Sequence, residues 1–487
     1  LDRPLFLGLD VGTQGTKALL VDLQTKSVLA RASSAYGLIE GLPPGTAEQH
    51  PSTWLAAIRA ACAELFRGRA AERARVGGIG VSGQQHGLVV LDAAGNVLRA
   101  AKLWCDTSTA REAEVLTQRL GRRVPVGYTA SKIVWLAHAE PQLFERAARV
   151  LLPHDYVDFA LTGRAWMECG DASGTGFFDP QTRRFDPRAL AAVDARLPDL
   201  LPDLVAADAL PGVLSAAGAE LTGLPVGTPV SAGSGDNMCS AIGAGATRPG
   251  VLVCSLGTSA TIFHHSPRPV LDPEGLIAPF CDATGGWLPL LCVMNATGVA
   301  EEVRRAFALT HARFDELALS AAPGAGGLTF LPYLAGERVP DLPRATGEIR
   351  GLRPGSLDPA LLARAALEGV AFNLAWGLER MRALGTRAEE LHLVGGASQS
   401  RAWTRVLADV LGLAVRPLAE PESAALGAAL QAGWAVRRAA GENVLLDDLA
   451  RGFLASAEPP VQPDPRAHAT LVPLAARFRE LVAQSFG

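Results

Sequence analysis

The sequence predicts an α/β protein built as two related domains facing a shared cleft, and three stretches carry that expectation. An apolar strand, a glycine-threonine turn and a second strand open the chain in FLGLDVGTQGTKALLVD (6–22). The same design returns in VLVCSLGTSATIFHHS (251–266), about 245 residues later. LHLVGGASQSRAWTRVLADVLGL (391–413) then reads as a strand, a Gly-Gly break and an amphipathic helix. At 487 residues the chain is too long for one ordinary core. The junction Ala246-Thr247-Arg248-Pro249-Gly250 divides it into expected domains 1–247 and 248–487.

Between these landmarks strands alternate with helices, the pattern of layered α/β domains. WLAAIRAACAEL (54–65) has helical spacing, and GGIGVSG (77–83) reads as a buried strand. HGLVVLDAAGNVLRAAKLW (86–104) predicts a hairpin turning at Ala94-Gly95-Asn96. Helices follow around 109–120 and 131–147, and VLLPHDYVDFALTG (150–163) runs from a strand or loop into a helix. A Pro- and Asp-rich loop is expected over 179–212. TPVSAGSGD (228–236) is a strand ending in glycines, and NMCSAIGAGA (237–246) a short helix. Beyond about 440, where PPVQPDP (459–465) lies, a Pro-rich surface extension with a terminal helix is expected.

The opening turn raises the chemical question. Gly12 and Gly15 leave backbone N–H groups unobstructed, and Thr13 and Thr16 add hydroxyls, so the turn can cradle a phosphate. Asp10 would repel a phosphate, so this reading needs a cation between them, Mg²⁺ being the natural choice. An ordinary hairpin with an aspartate near its turn reads equally well from this stretch alone. Composition narrows the partners. Net charge is −4, which points away from nucleic acid and anionic membranes. The basic residues are nearly all arginine, so Lys17, inside the opening turn, is one of only four lysines. Seven cysteines are scattered without a C-x-x-C pair, which fits a reducing cytoplasm and indicates neither disulfides nor zinc. No H-E-x-x-H pattern occurs and His264-His265 lacks nearby acidic ligands, so no transition metal is expected. No apolar stretch reaches the length of a membrane helix, and the N-terminus does not read as a signal peptide. The chain opens on Leu1 without a methionine, so native residues are expected to precede it.

No G-x-G-x-x-G follows a strand, and neither G-x-x-x-x-G-K-[ST] nor G-x-S-x-G is present. What remains is the paired hairpin arrangement. The segments DVGTQGTK, SGQQHG, GSGDN, SLGTS and PYLAGER, in that order across roughly 5–435, resemble the FGGY carbohydrate kinases. That family lies within the wider group of actin, hexokinase and the Hsp70 chaperones, which implies two ribonuclease-H-like domains about a central cleft. SGQQHG and LWCDT are closest to the xylulokinase branch. The resemblance implies an ATP-dependent kinase of a ketopentose, D-xylulose foremost, with a small sugar as partner and a homodimer compatible with it. It implies that Asp10 binds Mg²⁺, directly or through water, and that Gly12, Thr13, Gln14 and Lys17 hold the outer phosphates of ATP. Gly257, Thr258 and Ser259 would hold the same phosphates from the second domain, and Gly395, Gly396 and Ala397 would form the adenosine turn. Asp236 would be the catalytic base, although by position alone an N-cap is the commoner use of such an aspartate. Gln84, Gln85 and His86, with Trp104 and Asp106, are the candidates for the sugar, against the plainer alternative of a polar loop.

The chain also departs from the resemblance. Xylulokinases usually read near L-W-N-D-x-R, whereas LWCDTS places Cys105 and Ser108 at two of those positions. That leaves ribulose, another ketose or a polyol open as acceptor. Ala397 replaces a usual third glycine, which is tolerable if its φ is negative. SGQQHG argues against a glycerol kinase, which normally carries Arg-Glu there. A non-catalytic chaperone-like ATP module would need a β-rich domain longer than the tail after 440. A sugar-responsive repressor would need a DNA reader before the first hairpin. Glu337-Arg338 reads as a structural ion pair.

Overall fold

The computed structural model describes residues 3–454 and 459–487, so Leu1 and part of the expected extension lie outside the described residues. The chain forms two compact units. One comprises 1–247, 280–288 and 422–453; the other comprises 248–279, 289–421 and 454–487. The units are therefore not two contiguous halves, because two segments after residue 248 pack with the first.

In the first unit the opening hairpin pairs Leu5–Val11 antiparallel with Gly15–Asp22, and Ser27–Ala35 extends the sheet. On its other side Leu5–Val11 pairs parallel with Val76–Gly83. Pro229–Val230 and Ser234–Gly235 both join Val76–Gly83, so the expected strand over 228–236 is interrupted at its centre. The central strands are buried along their whole length, as sheets covered on both faces require. Helix Pro51–Leu65 lies against one face through Trp54, Ile58, Ala61 and Leu65. Helix Ser423–Ala439 lies against the other, close enough that glycine is required beneath it. A Cβ on Gly8 or Gly80 would sit 1.9 Å from the carbonyl oxygens of Ala425 and Ala428, respectively.

The second unit repeats the design. Gly250–Leu256 pairs antiparallel with Ala260–His264 and parallel with Ala388–Val394. Ala414–Pro417 and Trp287–Val293 continue its sheet on either side. Helix Pro359–Ala383 is the one described helix long and apolar enough for a membrane span, and it is a buried core element. The terminal helix Pro465–Phe486 corrects the expectation of a surface extension. Leu471, Phe478 and Val482 recur on one face and are buried in this unit's core.

Three local expectations also change. The two arms of the 86–104 hairpin meet only through isolated bridges, because Val89–Leu91 pairs with Arg149–Leu151 and Ala101–Lys102 with Glu48–Gln49. The 131–147 helix breaks before Pro141, which lacks the N–H an uninterrupted helix needs. The 179–212 stretch holds a hairpin arm, Arg184–Phe185, helices Pro187–Val193 and Leu197–Leu200, and strand Asp203–Val205.

Candidate active site

Strand register builds the first cluster. Asp10 lies opposite Lys17 on one neighbour and opposite Ser82 on the other, so the three side chains share a face. Ser82 Oγ donates to Asp10 Oδ1 at 2.8 Å, and Lys17 Nζ stands 4.0 Å from Oδ2. Lys17 also pairs with Glu422 at 2.5 Å, a residue brought here by the 422–453 segment. Burial raises the Asp10 pKa, against the lowering effects of Lys17 and Ser82. Burial would lower the Lys17 ammonium, but Asp10 and Glu422 outweigh it and hold it above its usual value.

Asp236 is the first residue of helix Asp236–Gly243, and Gly235 is the N-cap, so the capping alternative does not describe it. Asn237 clamps it: the backbone N–H and Nδ2 donate to Asp236 Oδ1 at 2.8 and 2.9 Å. The same Nδ2 donates to Gln85 Oε1 at 3.0 Å, which ties the SGQQHG loop to Asp236. Although half-buried by area, Asp236 is hemmed in by protein atoms. That burial, with the charge of Asp10 second, pushes its pKa up to about 7.

Thr13 organises the turn. It receives a hydrogen bond from Trp104 Nε1 at 2.9 Å and donates to Gln84 Oε1 at 3.1 Å. Gln49 Nε2 holds the Thr13 carbonyl at 2.7 Å and Tyr36 Oη the Gly12 carbonyl at 2.8 Å. Gln14 points to solvent, with its carbonyl bonded to the Tyr36 N–H. Gly12 donates its N–H across the turn to the Gly15 carbonyl. Gln49 and Tyr36 were not legible as site residues, because nothing near them in sequence carries a motif.

The sugar candidates divide. Gln85 is buried, and its Nε2 has no hydrogen-bond partner among the described residues. His86 has a φ of +64° and its ring lies 5.0 Å from Tyr128 and 5.6 Å from Phe280, centroid to centroid. Asp106, expected to meet the sugar, makes its recorded contacts within the protein. It is fully buried, with Oδ2 accepting from Ala47 N–H and Lys102 Nζ, and Oδ1 from the Ser108 N–H and Oγ. Lys102, itself buried over the Trp135 ring, also donates to Ser108 Oγ at 2.8 Å. A lysine four residues before Asp106 thus supplies the cation next to Ser108, where L-W-N-D-x-R carries its arginine.

In the second unit Gly257 and Thr258 are exposed and Ser259 half-buried, at a turn closed by the Gly257 N–H bonding to the Ser259 carbonyl. Thr258 and Gly257 carbonyls accept from the Ala296 and Thr297 N–H groups, anchoring the turn to helix Thr297–Ala306. Gly395 has a φ of +88°, and a Cβ there would lie 2.8 Å from the Leu256 oxygen. Gly396 faces open space, and Ala397 sits in a 3₁₀ turn outside the positive-φ residues. A cavity of about 400 Å³ begins one residue on, lined by Ser398, Gln399, Arg401, Pro417 and Leu418. Glu337 is buried and accepts from the Met294 and Asn295 N–H groups and Asn295 Nδ2, so it braces the chain before that helix.

Two units, each with a glycine-threonine hairpin flanked by a parallel strand, make this the actin/hexokinase-like class of phosphotransfer folds. Residues 5–243 match the N-terminal domain of the FGGY family of carbohydrate kinases, and 252–436 match its C-terminal domain. The chain belongs to that family and is an ATP-dependent sugar kinase. It is 39% identical to the xylulose kinase of Haemophilus influenzae over 448 residues, 88% of this chain and 90% of the relative. Among solved structures it is similar to the xylulose kinase from Rhodospirillum rubrum, at 30% identity with a TM-score of 0.87 over 98% of both chains. It is also similar to the gluconate kinase from Lactobacillus acidophilus, at 25% identity with a TM-score of 0.88 over 99% of both.

Proposed function

We propose that this chain transfers the γ-phosphoryl group of ATP to the 5-hydroxyl of D-xylulose, giving D-xylulose 5-phosphate and ADP. The observation that carries the reading is Asp236. It is a carboxylate with a pKa near 7, held by Asn237 and linked through it to Gln85 in the first unit's loop. Such a group can orient a sugar hydroxyl and accept its proton as the oxygen–phosphorus bond forms and the bond to ADP breaks. Gln85, with its unpartnered Nε2, is the adjacent group suited to hold a sugar oxygen. The similarity to xylulose kinases supports the choice of ketopentose.

Mg²⁺ fits the first cluster. Buried Asp10 and half-buried Asp236 are carboxylates that repel one another, with Lys17 as the cation acting on both. The ion would supply neutralisation of the phosphate charge. Asp10 would hold it, directly or through water; in the first unit Gly12, Thr13 and Lys17 would bind phosphate oxygens, and in the second unit Gly257, Thr258 and Ser259 are the residues suited to that task. Gly395, Gly396 and Ala397 would receive the adenosine.

Another ketose or a polyol as acceptor is the second reading, favoured by Cys105 and by the closure of Asp106 onto Lys102 and Ser108. ADP release from Mg-ATP across ketopentoses, aldoses, polyols and gluconate, against a sugar-free control, decides between them. Strongest stimulation by D-xylulose is expected; stimulation by a different acceptor moves the substrate, and none by any acceptor removes the proposal.

A further inference from the structure

Behind the strand that carries Ser82, helix Pro153–Thr162 and the short helix Cys169–Ala172 bring together a wholly buried charged cluster. His154, Asp155, Asp158, Glu168 and Asp171 are each 0% exposed. His154 Nδ1 lies 3.2 Å from Asp155 Oδ1 and 3.6 Å from Asp171 Oδ2. All three donor atoms fall within 4.8 Å of one another. On the far side of the ring, Nε2 lies 2.9 Å from Asp158 Oδ2. Neither oxygen of Asp171 has a hydrogen-bond partner among the described residues.

Asp171 is the feature that asks for a ligand, because it is wholly buried with both carboxylate oxygens unpartnered among the described residues. The geometry says where that ligand would sit. Bonds of 2.0–2.1 Å to a tetrahedral ion place its ligand atoms about 3.3 Å apart, close to the two separations from Nδ1. Asp155 Oδ2 already accepts the Leu152 N–H at 2.8 Å, so it presents Oδ1 alone. Asp158 Oδ2 lies beside the opposite ring nitrogen, the side from which a carboxylate can fix the tautomer of a metal-binding imidazole. The backbone packs closely around His154: a Cβ on Gly233 would lie 2.2 Å from Nε2, and one on Gly83 would lie 2.9 Å from the His154 Cβ.

We infer that His154 Nδ1, Asp155 Oδ1 and Asp171 Oδ2 form a structural site for a divalent cation of the zinc class, distinct from the one at Asp10. One imidazole and two carboxylates suit Zn²⁺, with Mn²⁺ as the harder alternative. The site stands behind the catalytic helix, because Glu168, N-cap of the helix carrying Asp171, accepts from Ser234 Oγ at 2.6 Å, two residues before Asp236. No spacing motif announces it, since Asp171 joins the other two only through tertiary packing.

The test uses the full chain without nucleotide. Protein dialysed against EDTA is titrated with Zn²⁺ or Mn²⁺, desalted, and analysed for bound metal and for melting temperature; Co²⁺ is added separately for its visible spectrum. The expected result is about one retained equivalent per chain, a higher melting temperature with the ion, and a Co²⁺ spectrum of a tetrahedral N/O site. Asp171→Asn and His154→Gln should lose this ion, while Asp10→Asn keeps it. No retained ion and no shift in melting in the folded parent protein would overturn the proposal, leaving a proton-sharing cluster. Retention by both folded cluster variants would overturn it equally, by placing the ion elsewhere. If neither variant folds, the parent titration and Co²⁺ spectrum decide alone.

Discussion

Asp236 and Asp106 are both aspartates expected to serve the reaction, and their surroundings differ. Asp236 has an elevated pKa and one oxygen committed to Asn237. Replacing it by asparagine should lower turnover by about 10²–10⁴-fold while leaving ATP binding near normal, measured by kcat and by nucleotide titration. The same substitution should change stability with pH. The folded group holds its proton up to about pH 7, whereas the unfolded one releases it near 3.8, so the parent loses stability as pH rises through that window. Without nucleotide or Mg²⁺, Asp236→Asn should therefore melt above the parent at pH 8, with the gap shrinking towards pH 4. Asp106 instead neutralises buried Lys102. Asp106→Ala should cost on the order of 3 kcal/mol in denaturant unfolding. A variant of parental stability with a raised sugar KM would restore Asp106 to the pocket.

At the scale of elements, glycine marks where strands and helices approach, and where ligands can. Gly80→Ala would drive a Cβ to 1.9 Å from the Ala428 oxygen, so helix Ser423–Ala439 must lift from the sheet. A loss of about 3 kcal/mol or more is expected, read from the denaturant midpoint. Gly12→Ala meets only the Gly15 oxygen at 3.5 Å, an ordinary contact. That variant should fold with near-parental stability and lose ATP affinity, since the added methyl group stands where a phosphate would approach. Near-parental ATP affinity in Gly12→Ala would remove the first turn from the phosphate site.

Across the whole molecule, each unit depends on chain from beyond its sequence half or far along it. The first unit recruits 422–453, which carries the Glu422 partner of Lys17. The second recruits the terminal helix, where Phe478 is fully buried and packs on Phe372 and Tyr333. Phe478→Ala should cost about 3–5 kcal/mol, measured by chemical unfolding, and an unchanged midpoint would return that helix to a surface role.

What the sequence determined by itself is local and contiguous. Alternating apolar residues around Gly12 and Gly257 specify two hairpins, a Gly-Gly break specifies the turn at 395, and Asp10 and Asp236 stand out where strands end. Such features rest on period and turn chemistry, which a short window contains. The tertiary structure alone decided that Asn237 links Asp236 to Gln85, that Lys102 closes Asp106, and that His154 meets Asp171. It also decided that helix Ser423–Ala439 covers the first sheet. None of these has a local signature, because side-chain contacts between distant positions are set by which buried charges and surfaces must satisfy one another once the layers pack.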